Sequence, residues 1–340
     1  MMQPACATGH DSGIPTILVA GGAGYIGSHM VKRLALSGYQ VLVVDNLSTG
    51  FRDAVRHGQF VEGDLADAGF LDRIFVERGI SAVLHFAALS QVGESVLVPV
   101  RYYRNNVANT LNLLDAMQRH GVQNFIFSST AAIFGEPGYT PIDERHPMQP
   151  ISPYGRSKKM VEEILADGDR AGGLRYVSLR YFNAAGADPD GELGERHDPE
   201  SHLIPLVLQA ASGRRSHIAI FGSDYPTPDG TCIRDYIHVH DLCTAHLLAL
   251  EHLLAGGASL ALNLGNGQGF SVREVIDTAR RVSGREIPVQ VHDRRPGDPA
   301  ILVADSRNAS VKLGWTPLYP DLETIVGDAW SWEQRKSRSW

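Results

Sequence analysis

Short apolar runs and helically spaced apolar positions alternate along the first half of the chain. Residues 17–19 are an apolar run that ends in glycines, after which Ile26, Met30 and Leu34 recur at helical spacing until Gly38. A second run at 41–44 follows. The alternation continues with strands near 60–61, 82–86, 124–129 and 176–179 and helices near 70–76, 107–117 and 153–165. Short apolar strands separated by helices predict an α/β fold with a doubly wound parallel sheet of the Rossmann type. Such sheets bind ligands beyond the carboxyl ends of their strands. Chemistry is therefore sought at residues 21–27, Asp45, Asp64, 86–88, 128–130 and 181–183.

After Asn183 the pattern changes. Residues 184–199, with Gly, Pro and acidic side chains, read as a long loop. Helices at 203–211, 242–254, 272–282 and 322–332 then mix with strands at 218–221, 260–264 and 287–291. The division expected is an N-terminal extension (1–15), a dinucleotide-binding domain (16–183) and a smaller mixed α/β substrate domain (184–340). Part of 233–265 is expected to return to the first domain.

Composition narrows the function classes. With 340 residues, 43% hydrophobic, 20% charged and a net charge of −7, the chain is an ordinary globular protein and no general nucleic-acid or anionic-membrane binder. Cys6, Cys232 and Cys243 lack C-x-x-C spacing and read as reduced thiols. No apolar run approaches the roughly 18–20 residues of a membrane span, and residues 1–14 lack a signal-peptide centre, so a cytoplasmic location is expected.

Candidate chemistry concentrates in two stretches. In ILVAGGAGYIG, residues 17–27, Gly22, Gly24 and Gly27 fit G-x-G-x-x-G, and Gly21, Gly24 and Gly27 fit G-x-x-G-x-x-G. Glycine there allows a tight turn and lets backbone N–H groups approach a pyrophosphate at the positive helix end. Asp45 ends the next strand about 20 residues on, where a carboxylate accepts ribose hydroxyls and repels a 2′-phosphate. NAD is expected over NADP.

Tyr154 and Lys158 are the second centre. Ser152 as N-cap and Pro153 in the first turn start a helix on which these two share a face. A free phenol, with a pKa of about 10, is a poor base at neutral pH. A fixed ammonium and a positive nicotinamide ring favour the phenolate. It can then take a proton from an alcohol as hydride leaves the carbon, a base worth about 10²–10⁴-fold in rate. Thr130, in FIFSSTAAIFG, is the candidate third partner, with Ser128 and Ser129 as structural or cofactor contacts.

The stretches GGAGYIGSH, VVDNLS, VEGDL, HFAA, VGESV, NNVANTLNLLDAM, SPYGRSK, LRYFNAAGA, IFGSDYPTPDGTCIRDYIHV and LNLGNGQGFSV resemble the extended short-chain dehydrogenase/reductase family. Within it they are similar to the UDP-hexose 4-epimerases, from about residue 16 to 332. The resemblance implies a tightly held NAD, regenerated in each turnover. It further implies that Tyr154 acts as acid and base and that a 4-keto sugar turns over in the pocket so that UDP-glucose and UDP-galactose interconvert. It implies cofactor contacts at Gly21, Gly24, Tyr25, Ile26, Gly27, Asp45, Asn46, Asp64, Leu65, Phe86, Ala87, Asn106, Tyr154, Lys158 and Phe182. On the substrate side it implies Thr130, Tyr154, Asn183, Leu203, a uracil wall at Ala219 and Phe221, a clamp of Arg234, Arg295 and Asp298, and Leu302 beside the sugar. Guanidinium forks suit phosphate oxygens. A homodimer is implied by the resemblance alone.

Departures from the family pattern bear on specificity. Ser90 stands where many relatives have a lysine that reaches the cofactor, His202 where an asparagine is frequent, and Ala20 where a threonine precedes the glycines. Thr130 replaces a frequent serine and keeps its hydroxyl. Leu302 is intermediate between a bulky tyrosine wall and a smaller residue, so hexoses are expected and N-acetylhexosamines stay open. Epimerisation of UDP-pentoses or UDP-hexuronates is the near alternative. Ala131 and Ala132, where a 4,6-dehydratase has an Asp-Glu pair, argue against dehydration; the intact Tyr154–Lys158 pair argues against a non-catalytic NAD sensor. His238-x-His240-Asp241 is placed by the resemblance in a structural strand, and no metal site is expected. Trp315, Trp330, Trp332 and Trp340 are read as packing and dimer surface.

Overall fold

Seven strands build one all-parallel sheet: Thr16–Ala20, Gln40–Asp45, Gln59–Glu62, Ile80–His85, Asn124–Thr130, Arg175–Tyr181 and Leu260–Leu264. Across the sheet the order is seventh, sixth, fifth, fourth, first, second, third. The computed structural model describes residues 13–295 and 297–338. The extension expected over the first residues therefore lies, up to residue 12, outside the described residues, as do Cys6 and Trp340.

The central strands are apolar at consecutive positions because both faces are covered. Ile17 and Val19 join Met30, Leu34, Leu242 and Leu250 on one face, where the helices Tyr25–Leu36 and Val239–Leu254 pack together. Leu18 and Ala20 join Leu71, Leu113, Val161 and Leu165 on the other, under Ala68–Arg78, Asn109–Arg119 and Pro153–Arg170. A third core gathers the helices Leu203–Ala211, Val272–Ser283 and Leu322–Arg338 over the parallel pair Ile218–Phe221 and Val289–His292. Between the two parts, Asn183–Ala185 pairs in parallel with Tyr236–His238.

Two segments differ from their expected form. Helices Val92–Leu97 and Pro99–Tyr103, a π turn Arg104–Ala108 and the helix Asn109–Arg119 follow one another almost without a break. Pro99, with no N–H to donate, separates the first two. Their apolar residues point outward, Leu97 being 82% exposed and Val100 68%, so no buried stripe announced them. The His238-x-His240-Asp241 segment is not a strand throughout. The strand ends at His238, whose Nδ1 accepts the His240 N–H at 3.0 Å and caps the helix Val239–Leu254. Asp241 then accepts the Leu318 and Tyr319 N–H groups at 2.8 Å each, so it serves the fold.

Candidate active site

The glycine loop is shaped for a ligand. Gly21 has φ +83° and a Cβ there would lie 2.4 Å from the Ala87 nitrogen; at Gly27 it would lie 2.2 Å from the Gly21 carbonyl oxygen. Only hydrogen fits at either place. Gly24 precedes the helix Tyr25–Leu36, no side chain caps that helix, and a Cβ at Gly24 would meet only the Gly21 oxygen, at 3.5 Å. The space over the helix N-terminus is thus an open cradle that a pyrophosphate fits. Tyr25 turns its side chain away and donates to the Gly186 carbonyl at 2.7 Å, which leaves the backbone of Tyr25 and Ile26 to face the cradle.

Asp45 fastens the loop to the second strand. Its carboxylate accepts the Ala23 N–H at 2.9 Å and the Leu47 N–H at 2.8 Å, while burial pushes its pKa upward. Asn46 donates to Asp64 at 2.9 Å, and the Leu65 carbonyl accepts from Asn112 at 3.1 Å, so the expected adenosine side is one connected surface. Phe86 and Ala87 donate their N–H groups to the Ala20 carbonyl at 2.8 and 3.0 Å, which brings the turn after the fourth strand against the glycines.

The helix Pro153–Arg170 carries the candidate base, Tyr154. Ser152 accepts the Gly155 N–H at 3.1 Å and Pro153 occupies the first turn. A Cβ at Gly155 would lie 2.4 Å from the Ala132 carbonyl oxygen, so glycine there lets the helix start touch the turn after the fifth strand. Tyr154 and Thr130 are thereby set near one another, close enough for the Thr130 hydroxyl to influence the phenol. Burial raises the Tyr154 phenol and the Thr130 hydroxyl opposes that. Lys158 is 2% exposed; its Nζ donates to the Ser128 carbonyl at 2.6 Å and lies 4.7 Å from the Phe127 ring centre. Burial pulls its pKa down to about 7 against the field of Glu162. The protein by itself therefore holds Tyr154 as a phenol, and a cationic ring beside it is what tips the pair toward phenolate.

Glu162, which sequence reasoning missed, is the next rung of the Tyr154–Lys158 ladder. It accepts from Ser129 at 2.5 Å and from Arg180 at 3.0 Å (Nε to Oε1) and 2.5 Å, with both charged side chains under 10% exposed. Its signal was a glutamate four residues after Lys158 on the buried face. Asn106 engages both ends of its amide: Nδ2 donates to the Leu89 carbonyl at 2.9 Å and to Ser157 at 3.1 Å, and Oδ1 accepts the Leu89 N–H at 2.9 Å. Its amide ties the turn after the fourth strand to the helix Pro153–Arg170. Ser128 pairs with the Tyr181 hydroxyl, and its side chain is structural.

On the expected substrate side, Phe182 and Leu302 pack against one apolar cluster of Ile133, Phe134 and Ile142, which brings together the residues expected at the nicotinamide and at the sugar. Asn183 donates to the Asp235 carbonyl at 3.0 Å. Arg234 pairs with Asp298 and lies opposite Leu302 in the short parallel ladder of Ile233–Arg234 with Ile301–Leu302. Arg295 stacks 3.8 Å from the Phe221 ring centre, on the strand that also carries Ala219. Arg294, not anticipated, bonds Asp224 at 2.7 Å and covers Tyr225. Leu203 opens a nine-residue helix that His202 does not cap; the His202 Nδ1 turns to Glu195 at 3.0 Å and Glu200 at 2.9 Å.

A buried tyrosine near a threonine at the carboxyl end of a parallel, glycine-looped sheet is the arrangement expected of an NAD-linked enzyme; the molecule falls in the class of NAD-linked short-chain dehydrogenase/reductase proteins. Residues 17–265 match the model of the NAD dependent epimerase/dehydratase family, and the chain belongs to that family. It is 55% identical to the UDP-glucose 4-epimerase of Halalkalibacterium halodurans over 94% of this chain and 95% of that one. The crystal structure of UDP-glucose 4-epimerase from Brucella ovis in complex with NAD superposes with a TM-score of 0.91 at 54% identity, covering 93% of this chain and 97% of that one. The Bifidobacterium longum UDP-glucose 4-epimerase, in complex with NAD+ and UDP, gives 0.90 at 37% identity, covering 96% and 100%.

Proposed function

We propose that this protein interconverts UDP-glucose and UDP-galactose by inverting carbon 4 of the hexose, with NAD retained through the cycle. The observation that carries this reading is the close approach of Gly155 to the Ala132 carbonyl, which brings Tyr154 to the end of the strand that carries Thr130. Bound NAD supplies a reversible hydride acceptor. Tyr154 takes the proton of the 4-hydroxyl and later returns it, while Thr130 donates to the same oxygen and shares the proton. Lys158, held by the Ser128 carbonyl, supplies the positive charge behind the phenol. Arg234 with Asp298, and Arg295 over Phe221, grip the UDP end so that the keto sugar can turn while tethered. Relatives crystallised with NAD and UDP support the assignment of both ligands.

Incubation with UDP-galactose and no added cofactor tests the reading: UDP-glucose is the expected product, and release of NADH or a dehydrated sugar in its place refutes it. UDP-N-acetylgalactosamine run in parallel reports on Leu302; turnover well below that of UDP-galactose is expected for a hexose-selective wall.

The proposed assembly is a homodimer. Val96, Leu97 and Val100, with Met160 on the neighbouring helix, are 61%, 82%, 68% and 42% exposed, an apolar surface suited to a two-fold contact between copies. Sedimentation should give twice the chain mass, and Leu97→Glu with Val100→Glu should reduce it to the monomer; an unchanged mass sinks the assignment of that face. A cytoplasmic location is likewise proposed, supported by the free, buried Cys232 and Cys243. No helix among the described residues is long and apolar enough to cross a membrane. Cell fractionation that recovers the protein outside the soluble cytoplasmic fraction contradicts that location.

A further inference from the structure

Glu195, His197, Glu200 and His202 lie between the Asn183–Ala185 strand and the Leu203–Ala211 helix, and the epimerase reading gives them no task. Their spacing is E-x-H-x-x-E-x-H, and one ligand atom from each lies within 4.8 Å of all the others. Both imidazoles present the same nitrogen, Nδ1, to a common point. Glu195 Oε1 lies 3.4 Å from His197 Nδ1 and 3.0 Å from His202 Nδ1. Glu200 closes the ring, with Oε2 3.4 Å from His197 Nδ1 and Oε1 2.9 Å from His202 Nδ1. A tetrahedron drawn with zinc–ligand distances of about 2.0–2.2 Å has edges of about 3.3–3.6 Å, close to this spacing.

We infer that these four side chains form a closed site for a divalent transition ion of the zinc class. The donor set, two imidazoles and two carboxylates, suits zinc and leaves no open position, which makes the ion a structural clamp and not a catalyst. Neighbouring groups orient the ligands. Glu200 also accepts the Ser201 and His202 N–H groups at 2.9 and 3.0 Å, and the Glu195 carbonyl accepts from Trp332 at 3.1 Å. His202 is half exposed, giving an ion a way in.

The location gives the clamp its purpose. Tyr25, next to the glycine cradle, meets the His197 ring edge-on at 6.2 Å, and His202 immediately precedes the open helix end at Leu203. An ion here ties the loop between those two ligand-facing helix starts into one piece. The inference stands apart from the epimerase reading, since binding is measured without turnover.

The test uses the full chain, stripped with a chelator and then titrated with Zn²⁺ or Co²⁺. The expected result is about one zinc per chain, a higher thermal midpoint with zinc, and an intense visible cobalt spectrum of tetrahedral coordination. Glu200→Gln should weaken cobalt binding by more than the about 10–100-fold of an outer-shell change, and His197→Ala with His202→Ala should abolish the spectrum. Should the double variant fail to fold, the titration of the unaltered chain still decides. Absence of stoichiometric zinc, a weak octahedral cobalt spectrum, or a spectrum unchanged in the double variant overturns the site and leaves a cage of imidazoliums and carboxylates.

Discussion

Tyr154→Phe should lower the interconversion of UDP-galactose and UDP-glucose by about 10²–10⁴-fold, with NAD still bound to the purified protein. Phenylalanine keeps the ring and its packing and removes the one hydroxyl that lies near Thr130 and, in the proposed reaction, takes the proton of the sugar. The cofactor cradle around Gly24 is built from other elements and should be untouched. Initial rates, together with the NAD content of the denatured protein, separate the outcomes. A variant that keeps more than about a tenth of the rate removes Tyr154 from the role of base. Loss of NAD together with activity would instead make the hydroxyl a binding group.

Glu162→Gln should destabilise the fold by about 3–5 kcal/mol, because it leaves the Arg180 guanidinium buried without its charge partner. Glu162 and Arg180 are both 5% exposed, so water cannot take over the lost contacts. The same carboxylate supports the Lys158 ammonium, so the variant should also need a lower pH to keep that lysine charged. Urea unfolding of the variant beside the parent checks the stability effect. A shift below about 1 kcal/mol would mean that the pair is replaceable by neutral hydrogen bonds.

Both predictions rest on the helix Pro153–Arg170, and only half of it was legible in the sequence. Tyr154 and Lys158 stand out because their types and spacing match a known task of acid–base chemistry. Glu162 does not, since a glutamate in a helix reads as solvated until its partner is known, and Arg180 comes from the next strand, which lies under the helix. The strands were legible for a similar reason: runs such as Ile17 to Ala20 are apolar on both faces, and no surface element tolerates that. Pairing partners are another matter. Periodicity identifies Leu260–Leu264 as a strand and says nothing of its hydrogen bonds to Arg175–Tyr181. Asn106 shows the same gap at the scale of one side chain. The family pattern brings it to the cofactor, but only the packed structure reveals that its amide is already occupied by Leu89 and Ser157. His197 escaped notice, and His202 stood out only as a departure from the family pattern, because both sit in a stretch without periodicity, where convergence in space leaves little trace in order along the chain.

The placement of the Leu260–Leu264 strand has a consequence for how the chain comes off the ribosome. When synthesis has passed Tyr181, six strands exist, yet the Arg175–Tyr181 strand still offers a bare row of N–H and C=O groups. Its covering helix, Val239–Leu254, and its neighbour strand are both encoded beyond the Leu203–Ala211 helix. The seven-stranded sheet is therefore finished only after the Leu203–Ala211 helix and the strands that follow it have emerged. Long-range pairing of this kind is slow and leaves an adhesive edge exposed in the interval. The sheet and the part of the chain that follows it therefore complete their folding together.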